Sequence, residues 1–422
     1  MSSGPTKAQA KGMRLFWFDG FFAWFSEWIV VQYLALYALA YGASTAQIGY
    51  LSGLVSLSGA LALLPGARLA ERWGRRKLIV VVSGGSIAKI MLLGLAILPF
   101  FSEGKEVIYA IMVLGSLRVF FNNFGMPAWT SLTADLVPLS LRGRFFSSRS
   151  FGMGVAALIG APLAGLMIDR LSFPEGWQAA WTLALVAGLL STAFYSRIPD
   201  KEIERAVAKA GTPPAPTGRI LDDRNFIWFC AVIFGWNLAL YVAAPFFNVH
   251  LIRNMGGSAG WVGALLAVNS VSALAGQPVA GRLLDSRGSW WLMAVTGVAI
   301  SSLPLAWVAA TEPWHIIFIN GVGGAVWAGY NLAVFNLLLI ISPAAKRAFY
   351  SAVYQFMVFS AAFAGPLIGG VVGERWGLPS LFLISGVGRL VAALLFIALV
   401  REKHADGEAS SPVPGDAAPQ QA

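Results

Sequence analysis

Five charged side chains lie more than one helical turn inside long apolar stretches of this sequence. Asp19 and Glu27 lie in the first stretch, Lys89 in the third, Arg118 in the fourth and Arg389 in the last. At the centre of a bilayer, each unpaired charge would cost about 2.5–3.5 kcal/mol on insertion scales. An acid and a base that meet there can neutralise each other, and the acid can take up a proton when its partner moves away. Charge pairing and proton transfer are therefore the chemistry that these residues could perform.

The composition requires that lipid surround most of this chain. Of its 422 residues, 57% are hydrophobic and only 12% are charged, whereas about 25% of the residues in soluble proteins are charged. This balance excludes a soluble enzyme, a disordered protein and a secreted disulfide scaffold. The single cysteine, Cys230, excludes an intramolecular disulfide, and with only three histidines the chain is a poor candidate for a Cys/His metal site. No metal or other cofactor is expected.

Twelve apolar stretches are long enough to cross the hydrocarbon core as helices, which takes about 20 residues. Lipid offers the backbone no hydrogen-bond partners, and the stretches are too long for barrel strands, so helices are required. The first stretch is also too long for a signal peptide and lacks a small-residue cleavage site. The sequence therefore predicts an all-α membrane protein with spans near residues 15–40, 46–66, 78–101, 107–137, 148–168, 177–196, 225–249, 259–280, 290–310, 314–341, 349–372 and 380–400.

The basic residues lie mainly in alternate loops. If the N-terminus is inside, 23 of the 30 Lys and Arg residues fall on the inner side, four fall outside and three lie in apolar stretches. An excess of Lys and Arg in short loops marks the cytoplasmic side. Both termini are therefore expected in the cytoplasm, and the chain in the plasma membrane, which in a bacterium is the inner membrane. Topology explains the net charge of +10, so no nucleic-acid partner is predicted.

A polar segment rich in charges, proline and glycine divides the chain into two sets of six spans. This segment is expected to be a cytoplasmic linker, and the C-terminus, rich in Ala, Pro, Gly and Ser, a disordered tail. The predicted boundaries are a cytoplasmic segment at 1–13, a first bundle at 14–197, the linker at 198–224, a second bundle at 225–401 and the tail at 402–422.

The two halves of the chain repeat one another. Residues 67–74, between the second and third spans, match residues 281–288, which lie 214 positions later. Residues 160–165 of the fifth span match residues 364–369 of the eleventh, at an offset of 204. Duplicated halves give many transporters a central site that can face either side of the membrane. Two pseudo-symmetric six-helix bundles are therefore predicted.

On these motifs the sequence resembles the major facilitator superfamily over nearly its whole length. That family's loop signature, Gly-x-x-x-Asp-Arg-x-Gly-Arg-Arg, reads Ala-Arg-Leu-Ala-Glu-Arg-Trp-Gly-Arg-Arg at residues 67–76, with Glu71 in place of the aspartate. The second copy retains two glycines and the acid, as Gly281, Asp285 and Gly288. The resemblance implies two six-helix bundles, alternating access to a site near the midplane, and a monomer.

A Gly-Pro motif that this family often carries in its antiporters is present in reduced form. In the fifth span it survives as Ala161-Pro162-x-x-Gly165, and a fuller copy with Pro366 and Gly369 lies in the eleventh. Proline should bend each helix, and the glycines should let helices approach closely and slide. We expect Pro162, Gly165, Pro366 and Gly369 to act as hinge and packing residues between the bundles.

The resemblance also implies that the first and fourth spans line one cavity, where Glu27 and Arg118 can meet. The functional interpretation is that Glu27 exchanges a proton while Arg118, with or without Lys89, holds it ionised until substrate competes. The alternative is a static ion pair that locks two helices together. Asp19 is either a second proton site or, as we favour, a residue near a helix start paired with cytoplasmic arginines. Arg389 is expected to anchor neighbouring helices, and Lys89 to turn inward.

Polar and aromatic residues form stripes at helical spacing on several spans. On the fourth, Arg118, Asn122, Gly125 and Trp129 share one face. Such faces should point to a wet cavity or to other helices, since lipid would not solvate them. The functional interpretation is an amphipathic substrate cavity. The alternative is that the amides bridge helices and the tryptophans mark interfaces. The predicted cavity residues are Asn122, Trp129, Trp236, Asn237, Tyr241, Asn320, Trp327, Asn331, Tyr354 and Gln355.

The repeated loop motifs are expected to gate the cytoplasmic side. Glu71 should lie near the start of the eleventh helix, and Asp285 near Arg144 and Arg149 at the start of the fifth, where bases and helix N-termini attract acids. Such contacts exist only when the bundles touch on that side, so they would favour the outward-open state. For the arginines, enforcing topology is the alternative role. The predicted gate comprises Glu71, Arg72, Gly74, Arg75, Arg144, Gly281, Asp285, Gly288 and Arg347.

A secondary active transporter is thus the expected function, with a small solute and protons as partners and lipid around it. Proton-coupled export of an amphipathic or drug-like compound is the first expectation. The alternatives are a proton-coupled importer of a sugar or other polar solute, and a non-transporting scaffold with the same fold. An enzyme is not expected, since the sequence offers no nucleophile–base pair, metal cluster or phosphate-binding loop.

Overall fold

The computed structural model is almost entirely helical. It describes residues 6–101, 104–138, 141–199, 223–343 and 347–402, except for the side chains of residues 134, 143 and 347–349. Within these ranges every regular element is a helix, which confirms the predicted all-α class.

Six helices form the N-terminal half. In chain order they are α1 (Lys7–Ala40), α2 (Thr45–Trp73), α3 (Arg76–Phe100), α4 (Glu106–Phe124, continuing as Met126–Leu136), α5 (Arg142–Arg170) and α6 (Glu175–Ser196). The C-terminal half has α7 (Arg224–Ala243, continuing as Phe247–Arg253), α8 (259–287), α9 (289–309), α10 (His315–Ile341), α11 (Arg347–Trp376) and α12 (Leu378–Leu399).

α8 and α9 form one helical stretch, Ala259–Ala309, that is broken at Gly288. As a straight helix its 51 residues would extend about 76 Å, far beyond the roughly 30 Å hydrocarbon core. Gly288 has φ 82° and ψ 167°, and Gly74 has φ 62° at the equivalent point between α2 and α3. Glycine adopts this left-handed region without strain. The described residues contain eleven helical spans apolar and long enough to cross a membrane, and the break at Gly288 divides one of them in two.

Side-chain caps determine where the helices begin and end. Thr6 and Gln9 form a reciprocal capping box that starts α1 at Lys7, inside the predicted N-terminal segment 1–13. At the other end of the chain, the carboxylate of Glu402 accepts hydrogen bonds from the backbone N–H groups that start α9, both at 3.3 Å. Glu402 therefore belongs to the folded protein and not to the predicted disordered tail. Residues 403–422 and the greater part of the predicted linker, 200–222, lie outside the described residues.

The two halves pack as equivalent bundles. α1 packs against α5 and α6, and α2 against α4, while α7 packs against α11 and α12, and α8 and α9 against α10. The bundles meet where α2 contacts α11 and where α5 contacts α8. The repeat relates α2 to α8 and α5 to α11, so it converts one of these two contacts into the other. The halves are therefore related by pseudo-symmetry. The end of the molecule where α1 begins is the terminal side, and the opposite end is the far side.

Large apolar side chains cover much of the outer surface. Leu64 is 71% exposed, Phe318 66% and Phe356 65%. Soluble proteins rarely expose a continuous apolar surface of this kind. Together with the long helices, it identifies a multi-pass membrane protein.

Candidate functional site

α1 lines one cavity together with the N-terminal bundle and another together with the C-terminal bundle. The N-terminal cavity, about 380 Å³, is walled by α1, α3, α4, α5 and α6. The C-terminal cavity, about 310 Å³, is walled by α1 together with α7, α8, α9, α10 and α12. Trp24 and Glu27 of α1 line the first cavity, and Trp28 and Gln32 line the second. One helix therefore links the two sites.

An arginine–glutamate pair lies at the wall of the N-terminal cavity. Nη2 of Arg118 contacts Oε2 of Glu27, and Nη1 lies 3.4 Å from Oε1. The Arg118 side chain is only 2% exposed, whereas that of Glu27 is 28% exposed and lines the cavity. A two-point contact between a guanidinium and a carboxylate fixes the orientation of both groups. The carboxylate is therefore the accessible member of the pair, and the cation lies behind it.

A second acid–base pair lines the same cavity. Asp19 accepts a hydrogen bond from Ser191 Oγ at 2.6 Å, and its Oδ2 lies 3.6 Å from Nη2 of Arg149. Arg149 donates from Nε to the carbonyl oxygen of Phe16 at 3.1 Å and covers the Phe16 ring at 4.2 Å. Asp19 and Arg149 are both buried, so each supplies the counter-charge that the other needs.

These contacts differ from two expectations. Asp19 does not lie at a helix start, because the Thr6 cap starts α1 twelve residues earlier. Its partner Arg149 comes from α5 of the same bundle, although the repeat predicted that Arg149 lies beside Asp285. Asp285 is instead exposed at the end of α8, while burial against Phe16 and Asp19 keeps Arg149 inside its own bundle.

Lys89 completes the polar wall of the N-terminal cavity. It follows a π-helical segment of α3, Val81–Ile87, which contributes Gly84 and Gly85 to the same wall. Such π-helical segments widen a helix locally and occur often at functional sites. Among the described residues, Lys89 has no hydrogen-bond or ion-pair partner. Its ammonium group can therefore be solvated from the cavity.

Four of the ten predicted cavity residues line the N-terminal or the C-terminal cavity. Asn122 and Trp129 line the N-terminal cavity, and Asn320 and Trp327 line the C-terminal one. The other six, which line neither of the two cavities, are Trp236, Asn237, Tyr241, Asn331, Tyr354 and Gln355.

Packing within the C-terminal bundle accounts for most of these six positions. The Trp236 ring stacks on Tyr330 with centroids 4.4 Å apart. Nδ2 of Asn237 donates to the Ile233 carbonyl oxygen of its own helix at 2.8 Å. The Tyr354 ring stacks on Phe229. Helical spacing identifies a shared face, but it does not distinguish a cavity wall from a helix–helix contact. Tyr241 packs against Gly365 of α11, and Asn331 and Gln355 are exposed.

Several residues line a cavity although the sequence pattern does not indicate that they do. Gln32 accepts a hydrogen bond from Asn248 Nδ2 at 3.1 Å, which joins α1 to α7 across the C-terminal cavity. Asn269 of α8 and Arg389 of α12 line the same cavity. Trp24, Glu27 and Trp28 share one face of α1 by their helical spacing, which could have indicated that this helix borders a cavity.

Most of the predicted gate residues are exposed on the terminal side. Glu71, Arg72, Gly74 and Arg75 are exposed at the end of α2, and Arg144 and Asp285 are exposed on α5 and α8. Among the described residues, no hydrogen bond or ion pair joins Glu71 or Asp285 to the other bundle. Gly74 and Gly288 supply the left-handed turns described above, and Gly281 is half-buried in α8. The side chain of Arg347 lies outside the described residues.

The hydrogen bonds by which an acid of one bundle caps a helix of the other lie on the far side. The carboxylate of Asp169, near the end of α5, accepts from the backbone N–H groups of Ala259 at 3.0 Å and Gly260 at 2.7 Å, which start α8. In the equivalent position near the end of α11, Glu374 accepts from the N–H of Ala46 at 3.1 Å. An acid is favourable at a helix N-terminus. Each bundle thus supplies an acid that caps a helix of the other.

The predicted hinge residues lie near these caps. A Cβ on Gly165 would lie 2.5 Å from the Ala259 carbonyl oxygen, and the equivalent atom on Gly263 of α8 would lie 2.5 Å from Pro162 Cα. Pro366 packs against Gly49 of α2. Gly369 differs, because it packs against α7 within its own bundle. Three of the four residues therefore lie where the bundles meet.

Comparisons with known proteins agree with this architecture. A family model described as "Major Facilitator Superfamily" matches residues 16–366. The chain is 23% identical over 384 residues to the multi-drug resistance efflux pump PmrA of Streptococcus pneumoniae, covering 88% of this chain and 91% of that protein. It is 22% identical over 406 residues to the multidrug resistance protein MdtG of Proteus mirabilis, covering 92% and 94%.

Solved structures share the fold at lower identity. A D-xylose-proton symporter superposes with a TM-score of 0.70 at 14% identity, covering 93% of this chain and 97% of that one. The nucleoside transporter NupG superposes with a TM-score of 0.67 at 12% identity, covering 93% of this chain and 99% of that one. These likenesses establish the arrangement of helices.

Proposed function

The chain belongs to the Major Facilitator Superfamily and is a membrane transporter, and we propose that it exports amphipathic, drug-like compounds in exchange for protons. Several relatives that match it over most of their length are named as multidrug efflux or resistance proteins. The observation that carries the proton coupling is the Glu27–Arg118 pair, because its acidic member lines the N-terminal cavity.

Proton uptake by Glu27 would disrupt a neutral pair. Once Glu27 is protonated, the charge of Arg118 has no partner in a site that is 2% exposed, and a buried unpaired charge is costly. Proton binding is therefore tied to a rearrangement that brings water or another anion to Arg118. A substrate bound in the N-terminal cavity would lie against the same carboxylate. Substrate and proton would then compete, which is the requirement for exchange.

The transporter would alternate between one state in which the bundles contact each other on the far side and another in which they contact each other on the terminal side. Far-side capping by Asp169 and Glu374 supports a closed far side. Exposure of Glu71 and Asp285 suits residues that bind the opposite bundle only when the terminal side closes. We assign the terminal side to the cytoplasm of a bacterial inner membrane, since most basic residues lie there.

Import of a sugar or other polar solute is the second candidate. Four amide side chains line the C-terminal cavity and could hydrogen-bond hydroxyl groups: Gln32, Asn248, Asn269 and Asn320. An importer would use the same proton pair with the opposite coupling, so that solute and proton bind together.

Transport driven by an imposed proton gradient tests the proposal. Liposomes would contain the wild type, Glu27→Gln or, as a matched control, Glu106→Gln, whose acid is exposed at the start of α4. We expect gradient-driven movement of the dyes ethidium or carboxyfluorescein in the wild type and the control, and none in Glu27→Gln. Coupled transport that persists in Glu27→Gln would remove Glu27 from its role. Gradient-driven uptake of xylose with no dye movement would favour import.

A further inference from the structure

A buried arginine forms part of the C-terminal cavity wall. Arg389 lies eleven residues into α12, which places it about 16 Å from the far-side end of the helix and so near the middle of the membrane. It is 2% exposed and lines the cavity. It therefore has the same burial as Arg118 of the N-terminal bundle.

No acid of the chain neutralises this arginine among the described residues. Nε and Nη2 of Arg389 are buried without a hydrogen-bond partner, and no ion pair involves its guanidinium. The neighbour that faces it is aromatic, since the guanidinium carbon lies 5.9 Å from the centroid of the Trp236 ring. The acids of the described C-terminal bundle lie at helix ends or in loops: Asp223, Asp285, Glu312, Glu374 and Glu402.

A buried cation without a counter-ion requires an anion from elsewhere. Removing a guanidinium from water is unfavourable unless a partner restores its lost interactions. A cation–π contact with one ring replaces only part of them. The described part of the chain offers this bundle no acid at membrane depth, so the missing anion belongs to a molecule that enters the cavity.

The unpartnered edge of Arg389 matches a carboxylate, and because neighbouring atoms cover both nitrogens in this structure, the guanidinium must turn toward the cavity to bind one. Nε and Nη2 lie on the same edge of the guanidinium plane, and their two N–H groups point in parallel. A carboxylate can accept both hydrogen bonds at once through its two oxygens, which gives a stronger contact than a single-point anion makes. A spherical anion such as chloride would not use both donors with the same geometry.

The rest of the cavity suits the apolar body of such a ligand. Rings of Trp28, Trp307 and Trp327 line it, together with aliphatic side chains of α7, α8 and α10. Among its described lining residues, Arg389 is the only charged one. Cavities of a few hundred Å³ with apolar walls and one or two polar groups are typical of small-molecule sites.

We infer that the C-terminal cavity is a substrate subsite for a carboxylate, in which Arg389 binds the anionic group and the three tryptophans contact an aromatic or aliphatic body. This inference rests on the proposed transport function, because it assigns the cavity to the transported compound. It adds one chemical class to the transported compounds: amphipathic organic acids and zwitterions with a free carboxylate.

Equilibrium binding to the purified full-length protein tests the inference independently of transport. The probes are 2-naphthylacetate and its neutral isostere 2-naphthylacetamide, measured by isothermal titration calorimetry in a chloride-free buffer. We expect the wild type to bind the acid about tenfold to a hundredfold more tightly than the amide, as for a hydrogen bond to a charged group. Arg389→Gln should abolish that preference, and Arg389→Lys should retain part of it.

Arg287→Gln is the matched control. Arg287 also lies over a tryptophan ring, at 5.4 Å from Trp291, but it is exposed and outside the cavity, so its loss should leave the acid preference unchanged. An unchanged thermal midpoint and elution volume would show that Arg389→Gln is folded. Equal affinity for the two probes in the wild type, undetectable binding of both, or a preference that survives in Arg389→Gln would overturn the inference. If Glu27→Gln transports normally while the acid preference depends on Arg389, the proposed proton coupling fails and the subsite stands.

Discussion

The two bundles accommodate buried positive charge in different ways. In the N-terminal bundle, Arg118 contacts Glu27, and Arg149 lies 3.6 Å from Asp19. In the C-terminal bundle, Arg389 is buried to the same extent but faces an aromatic ring. The helices of the two halves are equivalent, so the difference lies in the side chains. We propose that the N-terminal bundle exchanges protons through its own acids, whereas the C-terminal bundle, whose described part has no acid at membrane depth, takes its counter-charge from a ligand.

The largest expected effect is the loss of one member of the Glu27–Arg118 pair. Glu27→Gln leaves Arg118 buried without a counter-charge, so we expect it to lower the free energy of unfolding by about 3–5 kcal/mol. Thermal unfolding in detergent would measure this change. The double variant Glu27→Gln/Arg118→Gln should recover much of the loss, because it removes the stranded charge. Additive losses in the double variant would show that the two side chains act separately.

Replacing Arg389 should have the opposite effect and raise the free energy of unfolding. Arg389→Met replaces an uncompensated cation with an apolar side chain of similar length, so we expect the ligand-free protein to gain about 1–3 kcal/mol of stability. The same unfolding assay applies, with Arg287→Met as the exposed control. A loss of stability as large as that of Glu27→Gln would mean that Arg389 has a partner within the protein, and the contrast between the bundles would disappear.

The second pair of the N-terminal bundle should contribute less than the first. Asp19→Asn removes the charge that faces Arg149 at 3.6 Å but can still accept the Ser191 hydrogen bond. We expect a loss of about 1–2 kcal/mol in the free energy of unfolding. Asp19→Ala should cost more, since it removes both contacts. Equal losses in the two variants would assign the stability to the charge contact alone.

The smallest expected effect concerns the far-side caps, where the two bundles behave alike. Asp169→Asn and Glu374→Gln each remove one negative charge from a helix N-terminus. Each should therefore raise the population of molecules that are open to the far side about twofold to fivefold. A cysteine placed at Gln32 in a Cys230→Ser background would report this change as faster labelling by an impermeant maleimide. The two variants should increase the labelling rate by similar factors. An increase in only one of them would show that the two caps are not equivalent.

The sequence was sufficient to predict the fold class and the paired charges. Apolar length requires helices in lipid, and the repeated loop motif placed Gly74 and Gly288 at equivalent turns. Glu27 and Arg118 were expected to meet because the family resemblance implied that their helices line one cavity, and they are in contact in the structure. The geometry of the caps was not predicted, since Asp169 and Glu374 acquire their partners only when the bundles dock.

Other positions depended on packing that spacing cannot reveal. Trp236 was expected in the cavity wall, but it packs against Tyr330 inside the bundle. Arg389 was expected only to anchor helices, because the resemblance places the last helix at the periphery, yet its guanidinium reaches the C-terminal cavity. Asp19 pairs with Arg149, a residue from a distant part of the sequence. The sequence pattern identifies a charged residue within the membrane, whereas the three-dimensional structure is needed to identify the side chains that contact it.

Proton release upon ligand binding tests the central proposal most directly. Purified protein, in a weakly buffered detergent solution acidic enough to protonate Glu27, would be mixed with ethidium while a pH indicator follows the solution. We expect the wild type and Glu106→Gln to release protons on binding, and Glu27→Gln to bind the ligand with no release. Equal proton release from Glu27→Gln and from the wild type would contradict the assignment of Glu27 as the residue that exchanges protons with substrate.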